Sequence, residues 1–107
     1  MTKKIIHLLA NAHIDPVWLW TREDGIAEAV STCRAMVEMM NKYPTLTFIR
    51  GESWVYEQVL RYDPKLFLEI KQLVAAGRWD IVGGSYIQSD TNLPATATFL
   101  KQFQAGR

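Results

Sequence analysis

The sequence predicts an α/β fold in which helices alternate with parallel strands. Short apolar runs alternate along the chain with stretches whose apolar residues recur every three or four positions. That order is typical of βαβ units on a parallel sheet. The chain has 107 residues, 49% apolar and 21% charged, which suits one folded unit and argues against intrinsic disorder.

The first predicted strand covers residues 5–10. Its run is apolar except for His7, and such continuity favours a parallel strand that is buried on both faces. Pro16 disfavours helical geometry at Asp15 and so ends the strand near that residue.

A helix is predicted next, over residues 22–42, and Tyr43-Pro44 stops it. The apolar positions expected to form its buried face are Ile26, Val30, Cys33, Val37 and Met40. A second strand is predicted for residues 46–49 and a short helix for residues 53–61.

The second half of the chain has clear start and stop signals. Asp63-Pro64 predicts a helix start, and Gly77 is placed to end that helix. The expected buried stripe is Leu66, Ile70, Leu73 and Val74. A third strand is predicted for residues 79–82 and a last helix from about Ala95, with Gly83-Gly84 as a turn between them.

Composition narrows the classes of partner and the cellular location. A formal net charge of +1 gives no electrostatic reason to expect nucleic acid or an anionic membrane, and no apolar run is long enough to span a bilayer. Residues 1–10 loosely resemble a signal peptide, but polar Asn11, His13 and Asp15 follow where a cleavage site would be expected. We expect a cytoplasmic protein in which the single cysteine, Cys33, is a buried apolar residue.

Three parallel strands would leave two unpaired edges and uncovered sheet faces. We therefore expect residues 1–107 to be the opening part of a larger α/β barrel or sheet, with the rest of the chain as a partner. A homo-oligomer is compatible with the sequence.

The candidate site lies where the first strand ends, at His13 and Asp15. A strand projects residues two apart to the same face, and imidazole nitrogen and carboxylate oxygen are normal zinc ligands. The alternative is that the two side chains satisfy each other. Two ligands are also too few for zinc. Asp90 is a candidate third ligand, although a turn is the favoured role for it, so the others are expected mainly outside this chain.

Two tryptophans follow the pair. Trp18 is equally suited to stacking on a sugar ring or to packing, whereas packing is favoured for Trp20.

Two blocks of the sequence resemble glycoside hydrolase family 38, the zinc-dependent α-mannosidases. The first block is Ala12-His13-Ile14-Asp15-Pro16-Val17-Trp18-Leu19-Trp20. The second is Gly77-Arg78-Trp79-Asp80-Ile81-Val82-Gly83-Gly84-Ser85-Tyr86, continuing through Asp90-Thr91-Asn92-Leu93-Pro94. Residues 95–98 depart from bacterial relatives, which usually have a small residue and then Gly-Glu there.

The resemblance implies a fold and an activity. It implies the opening β/α units of a seven-stranded parallel α/β barrel, incomplete in this chain, and a retaining glycosidase that removes terminal α-linked mannose from mannose-containing oligosaccharides. His13 and Asp15 are similar to the family's first two zinc ligands, and Trp18 to the aromatic wall of the mannose subsite. The family's nucleophile, which is also a zinc ligand, its acid/base aspartate and its last histidine ligand lie on later segments.

Two other functions fit the residues. One is a metal-dependent sugar deacetylase on a related barrel, in which zinc would activate water for amide cleavage. The other is a truncated module that is inert or merely binds sugar.

Overall fold

A computed structural model of the protein describes residues 3–107. Its helices and strands follow one another in the order α1 (Arg22–Lys42), β1 (Phe48–Arg50), α2 (Ser53–Tyr62), α3 (Pro64–Ala75), β2 (Trp79–Ile81) and α4 (Thr96–Ala105). The four helices and the second and third predicted strands are therefore found where the sequence places them, within one or two residues at most ends.

The sheet brings three segments of the chain side by side. Strands β1 and β2 pair in parallel, with Phe48 opposite Trp79 and Arg50 opposite Ile81. On the other side of β1, Ala10 forms a single parallel bridge to Phe48, and the Ile49 N–H donates to the Ala10 carbonyl at 2.9 Å. Because the three segments run in one direction, residues 11–15, 51–52 and 82–85 all follow the carboxyl-terminal ends of these segments and lie at one edge of the sheet, the edge where the strands end. The seven-stranded barrel stays a prediction.

The prediction of a first strand is the one that the structure corrects most. The sequence predicts a buried strand over residues 5–10, but residues 5–9 have no strand partner among residues 3–107, and Ile6 and Leu8 are 83% and 89% exposed. An apolar run predicts burial only where other segments cover it. Among the described residues, this run meets β1 only at Ala10.

The core lies where α1, α2 and α3 pack on one another and on the strands. Phe48 and Trp79, paired across the sheet, contact edge to face with ring centroids 4.5 Å apart. The buried apolar residues are Ala29, Cys33, Val37, Met40, Phe48, Trp54, Val55, Val59, Leu66, Ile70, Leu73 and Trp79. Val74, predicted to be buried, is partly buried against this core.

At the start of α1, the residues that are buried are smaller than those that the sequence predicts. Gly25 and Ala29 are buried, whereas Ile26 and Val30 are only partly so. A Cβ atom at Gly25 would lie 2.2 Å from the Pro16 carbonyl oxygen. Position 25 of α1 therefore requires glycine, because the Pro16 backbone passes directly against it.

Side chains and glycine define the helix ends as the sequence predicts. The Asp63 carboxylate accepts from the Leu66 N–H at 3.1 Å and starts α3. At the other end, Gly77 has φ +66°, and the Gly77 and Arg78 N–H groups donate to the Val74 and Leu73 carbonyls. That pair of bonds is a Schellman motif, which needs a left-handed residue.

None of the helices formed by residues 3–107 combines the length and the apolar character needed to cross a lipid bilayer.

We expect Cys33 to be unreactive in the folded protein. Its side chain is fully buried, and burial raises the pKa of the thiol to about 11, so almost no thiolate forms at about pH 8. Mass spectrometry of the Cys33 peptide should show slow alkylation by iodoacetamide under native conditions and rapid alkylation in denaturant. Native alkylation at the rate of a free thiol would contradict the packing described here.

Candidate metal centre

The segment that carries His13 and Asp15 is fixed to β1 by side-chain bonds to the backbone. The Asn11 amide donates to the Ile49 carbonyl at 2.8 Å, and Arg50 Nη1 donates to the Ala12 carbonyl. Arg50 is fully buried, so its guanidinium reaches Ala12 from inside the core. The backbone on either side of Ala12 is thus held before the chain reaches the candidate site.

His13 and Asp15 lie together, as their spacing predicts. His13 Nε2 is 3.1 Å from Asp15 Oδ1, and the two side chains are 38% and 37% exposed. A nitrogen and an oxygen donor are therefore adjacent and accessible at the edge where the parallel strands end. Such a donor pair is suited to zinc.

The structure adds Glu52, which the sequence analysis missed. Glu52 directly follows Gly51 at the end of β1, and its Oε1 lies 2.7 Å from His13 Nδ1. Its side chain is only 13% exposed. The signal that could have found it is a polar residue just after a neighbouring parallel strand, since such positions meet at one sheet edge.

The three side chains do not converge on one point, because Asp15 and Glu52 contact opposite nitrogens of the His13 ring. In keeping with this, the part of the chain that the structure describes contains no group of three or more His, Cys, Asp or Glu side chains arranged to hold a metal ion. The chain itself thus presents one nitrogen and one oxygen donor, with a second carboxylate behind the imidazole.

The two carboxylates also set the charge of His13. Partial burial lowers the pKa of its imidazole, but the hydrogen bonds to Glu52 and then to Asp15, together with the negative charges of both, outweigh burial and raise it. The positive form of the ring therefore persists to higher pH than in a free histidine. A site that stabilises a cationic ring between two carboxylates is also electrostatically suited to a metal cation.

Trp18 and Trp20 differ in exposure, and Trp20 has the packing role that the sequence predicts for it. Trp20 is partly buried, and its indole N–H donates to the Asp15 carbonyl at 3.0 Å, which fits the predicted packing role. Trp18 contacts the edge of Trp20, with centroids 5.8 Å apart, but is itself 67% exposed. One indole thus supports the Asp15 backbone and the other presents an open aromatic face beside the site.

Asp90 forms a turn, the role that the sequence favours for it. Its carboxylate accepts from the Asn92 N–H at 2.7 Å, and the residue is exposed. Gly83 and Gly84 have φ of +89° and +117°, so they provide the turn predicted after β2.

The comparisons with known proteins agree on a family. The model of the glycosyl hydrolases family 38 N-terminal domain matches residues 3–107, almost the whole chain. The chain belongs to glycoside hydrolase family 38.

The curated proteins that are similar to this chain are named alpha-mannosidases. The chain is 28% identical over 99 residues to alpha-mannosidase G of Dictyostelium discoideum, covering 92% of this chain and 9% of that protein. It is 26% identical over 102 residues to human alpha-mannosidase 2C1, covering 95% and 10%. With alpha-mannosidase of Saccharomyces cerevisiae it shares 23% identity over 103 residues, covering 95% and 10%. The chain thus spans about a tenth of the length of these relatives.

The close approach of α1 to Pro16 predicts the effect of Gly25→Ala. In an open helix this change stabilises by about 0.5–1 kcal/mol. Here the added methyl group must push residues 15–16 away from α1, so we expect a net loss of about 1–3 kcal/mol and a lower melting temperature.

Ser31→Ala, at an exposed position of the same helix, is the matched control and should change stability by less than about 0.5 kcal/mol. A Gly25→Ala protein that melts above the wild type would contradict the close contact.

Proposed function

We propose that this chain contributes part of the metal site and substrate pocket of a retaining α-mannosidase. Membership of family 38 and the names of the relatives support a glycosidase that acts on α-linked mannose. The single observation that carries the assignment to particular residues is the pairing of His13 Nε2 with Asp15 Oδ1 at the edge where the strands end.

His13 and Asp15 would hold a zinc ion, with the remaining ligands supplied outside residues 1–107. Their donor types fit zinc, and both side chains are accessible. Zinc held there would bind neighbouring hydroxyl groups of the sugar and help to distort the ring towards an oxocarbenium-like transition state.

The residues of this chain do the positioning. Asn11 and Arg50 fix the backbone on either side of Ala12, and Trp20 holds the Asp15 carbonyl, so the two donors are presented from a restrained segment. Trp18 offers its open face as an apolar wall on which a mannose ring would stack.

The bond-breaking groups of this proposal lie elsewhere. A retaining glycosidase needs two carboxyl groups about 5–5.5 Å apart, one as nucleophile and one as acid and then base. We place neither in residues 1–107, and we place these residues in the opening β/α units of a seven-stranded barrel. The sugar ligand is accordingly a terminal α-mannoside, bound between this segment and the rest of the enzyme.

Replacing the proposed zinc ligands tests the assignment. In the full-length protein we expect His13→Ala and Asp15→Ala each to abolish zinc binding and hydrolysis of an aryl α-mannoside together, because each removes one donor atom. Zinc content is measured by atomic emission and activity by aryl-group release.

His7→Ala replaces the other histidine of this chain and should leave zinc content and activity unchanged. Full activity with full zinc content in His13→Ala would disprove the assignment. Release of acetate from an N-acetylated sugar, without mannosidase activity, would favour the deacetylase instead.

Trp18→Ala tests the substrate wall. Loss of an aromatic face of this kind costs about 0.5–1.5 kcal/mol, so we expect KM to rise about threefold to tenfold, with a smaller rise for Trp18→Phe. Leu19→Ala, at the adjacent and still more exposed residue, is the control. An unchanged KM in Trp18→Ala would remove Trp18 from the pocket.

A further inference from the structure

We propose that Glu52 is a positioning residue for His13: it accepts the Nδ1 proton and so presents Nε2, with its lone pair, beside Asp15. This inference rests on the proposed zinc role of His13 and adds a residue that acts through it.

The geometry distinguishes the two carboxylates that contact the ring. The Glu52 contact is shorter than the Asp15 contact, 2.7 against 3.1 Å, and Glu52 is the less exposed, at 13% against 37%. A carboxylate only accepts hydrogen bonds, so the nitrogen that keeps such a contact carries a proton. The better-held proton is therefore on Nδ1, and Nε2 is the nitrogen that a cation would take. Histidine ligands are commonly oriented in this way by a carboxylate on the other ring nitrogen.

Glu52 is held in this role by a buried charge. Its second oxygen, Oε2, lies 3.7 Å from Nε of Arg50, whose side chain is fully buried. This ion pair draws the carboxylate towards the core on the Nδ1 side of the ring, away from Asp15. Glu52 thus behaves as a support of His13 and does not take the place of a ligand.

The Glu52 carboxylate is not used by the helix that follows it. Glu52 occupies the N-cap position of α2, and its side chain makes no hydrogen bond to the first turn. The Ser53 and Trp54 N–H groups donate instead to the Ser85 and Tyr86 carbonyls. The carboxylate is therefore free to face His13.

Gly51 determines the backbone position from which the Glu52 side chain extends. A Cβ atom at this position would lie 2.1 Å from the Val82 carbonyl oxygen, so the ends of β1 and β2 approach more closely than another residue would allow. The close approach fixes the backbone directly before Glu52.

The test measures zinc affinity and metal-free stability in the natural-length polypeptide. Zinc dissociation constants are obtained by competition with a chromophoric chelator for the wild type, Glu52→Gln, Glu52→Ala and His13→Ala. Glu38→Gln, at an exposed carboxylate of α1, is the control for loss of a negative charge. The melting temperature of each metal-free protein is measured beside it.

We expect a graded result. Glu52→Gln keeps the shape and an acceptor oxygen for the Nδ1 proton, so its affinity for zinc should fall about tenfold, whereas Glu52→Ala should lose about a hundredfold. Both should still bind zinc at the wild-type stoichiometry, unlike His13→Ala. Glu38→Gln should match the wild type. Metal-free Glu52→Gln should stay folded, with a lower melting temperature, because the buried Arg50 loses its ion-pair partner.

The other outcomes overturn the inference in separable ways. If His13→Ala loses zinc but both Glu52 variants stay within twofold of the wild type, the metal site stands and the positioning role fails. If Glu52→Ala binds no zinc at all, Glu52 is itself a ligand. If metal-free Glu52→Gln is already unfolded, the role of Glu52 is structural. If His13→Ala keeps its zinc, the proposed function fails first.

Discussion

The charge buried at Arg50 organises the edge of the sheet where the candidate site lies. A guanidinium removed from water costs several kcal/mol unless it is compensated by partners. Two groups compensate part of this charge. The Ala12 carbonyl, directly before His13, accepts a hydrogen bond from Nη1, and the Glu52 carboxylate, which contacts the same histidine, lies 3.7 Å from Nε as an ion pair. Nε and Nη2 make no hydrogen bond within the described residues. The buried Arg50 side chain thus contacts both the segment after Ala10 and the end of β1. Its two partners, Ala12 and Glu52, each adjoin His13, the first along the chain and the second through a side-chain contact.

Most helices of this chain could be predicted because their signals are local. The Asp63-Pro64 start, the Gly77 stop and the apolar spacing of α1 each act within a few residues. The strand predicted for residues 5–10 depends on what covers it, and periodicity carries no information about neighbours. For the same reason, the sequence predicted Ile26 in the buried face of α1, where the close passage of Pro16 favours Gly25.

The candidate site shows the same division between local and distant signals. His13 and Asp15 are two residues apart, so strand geometry alone predicts that they meet. Glu52 lies 39 residues from His13, and only the parallel pairing of neighbouring segments brings the two together. Neither the spacing of the first pair nor the family resemblance points to Glu52, so its contact with His13 is visible only in the structure.

The loop after β2 is fastened mainly through its main chain. Ser85 and Tyr86 accept from the first N–H groups of α2, and the Tyr86 N–H donates to the Gln102 carbonyl of α4. Side chains add two further bonds, from the Ile87 N–H to Gln102 and from the Tyr86 hydroxyl to Glu57. Backbone contacts survive most substitutions. Changes to exposed side chains farther along this loop would therefore leave in place the main-chain bonds that fasten residues 85–86 to α2 and α4.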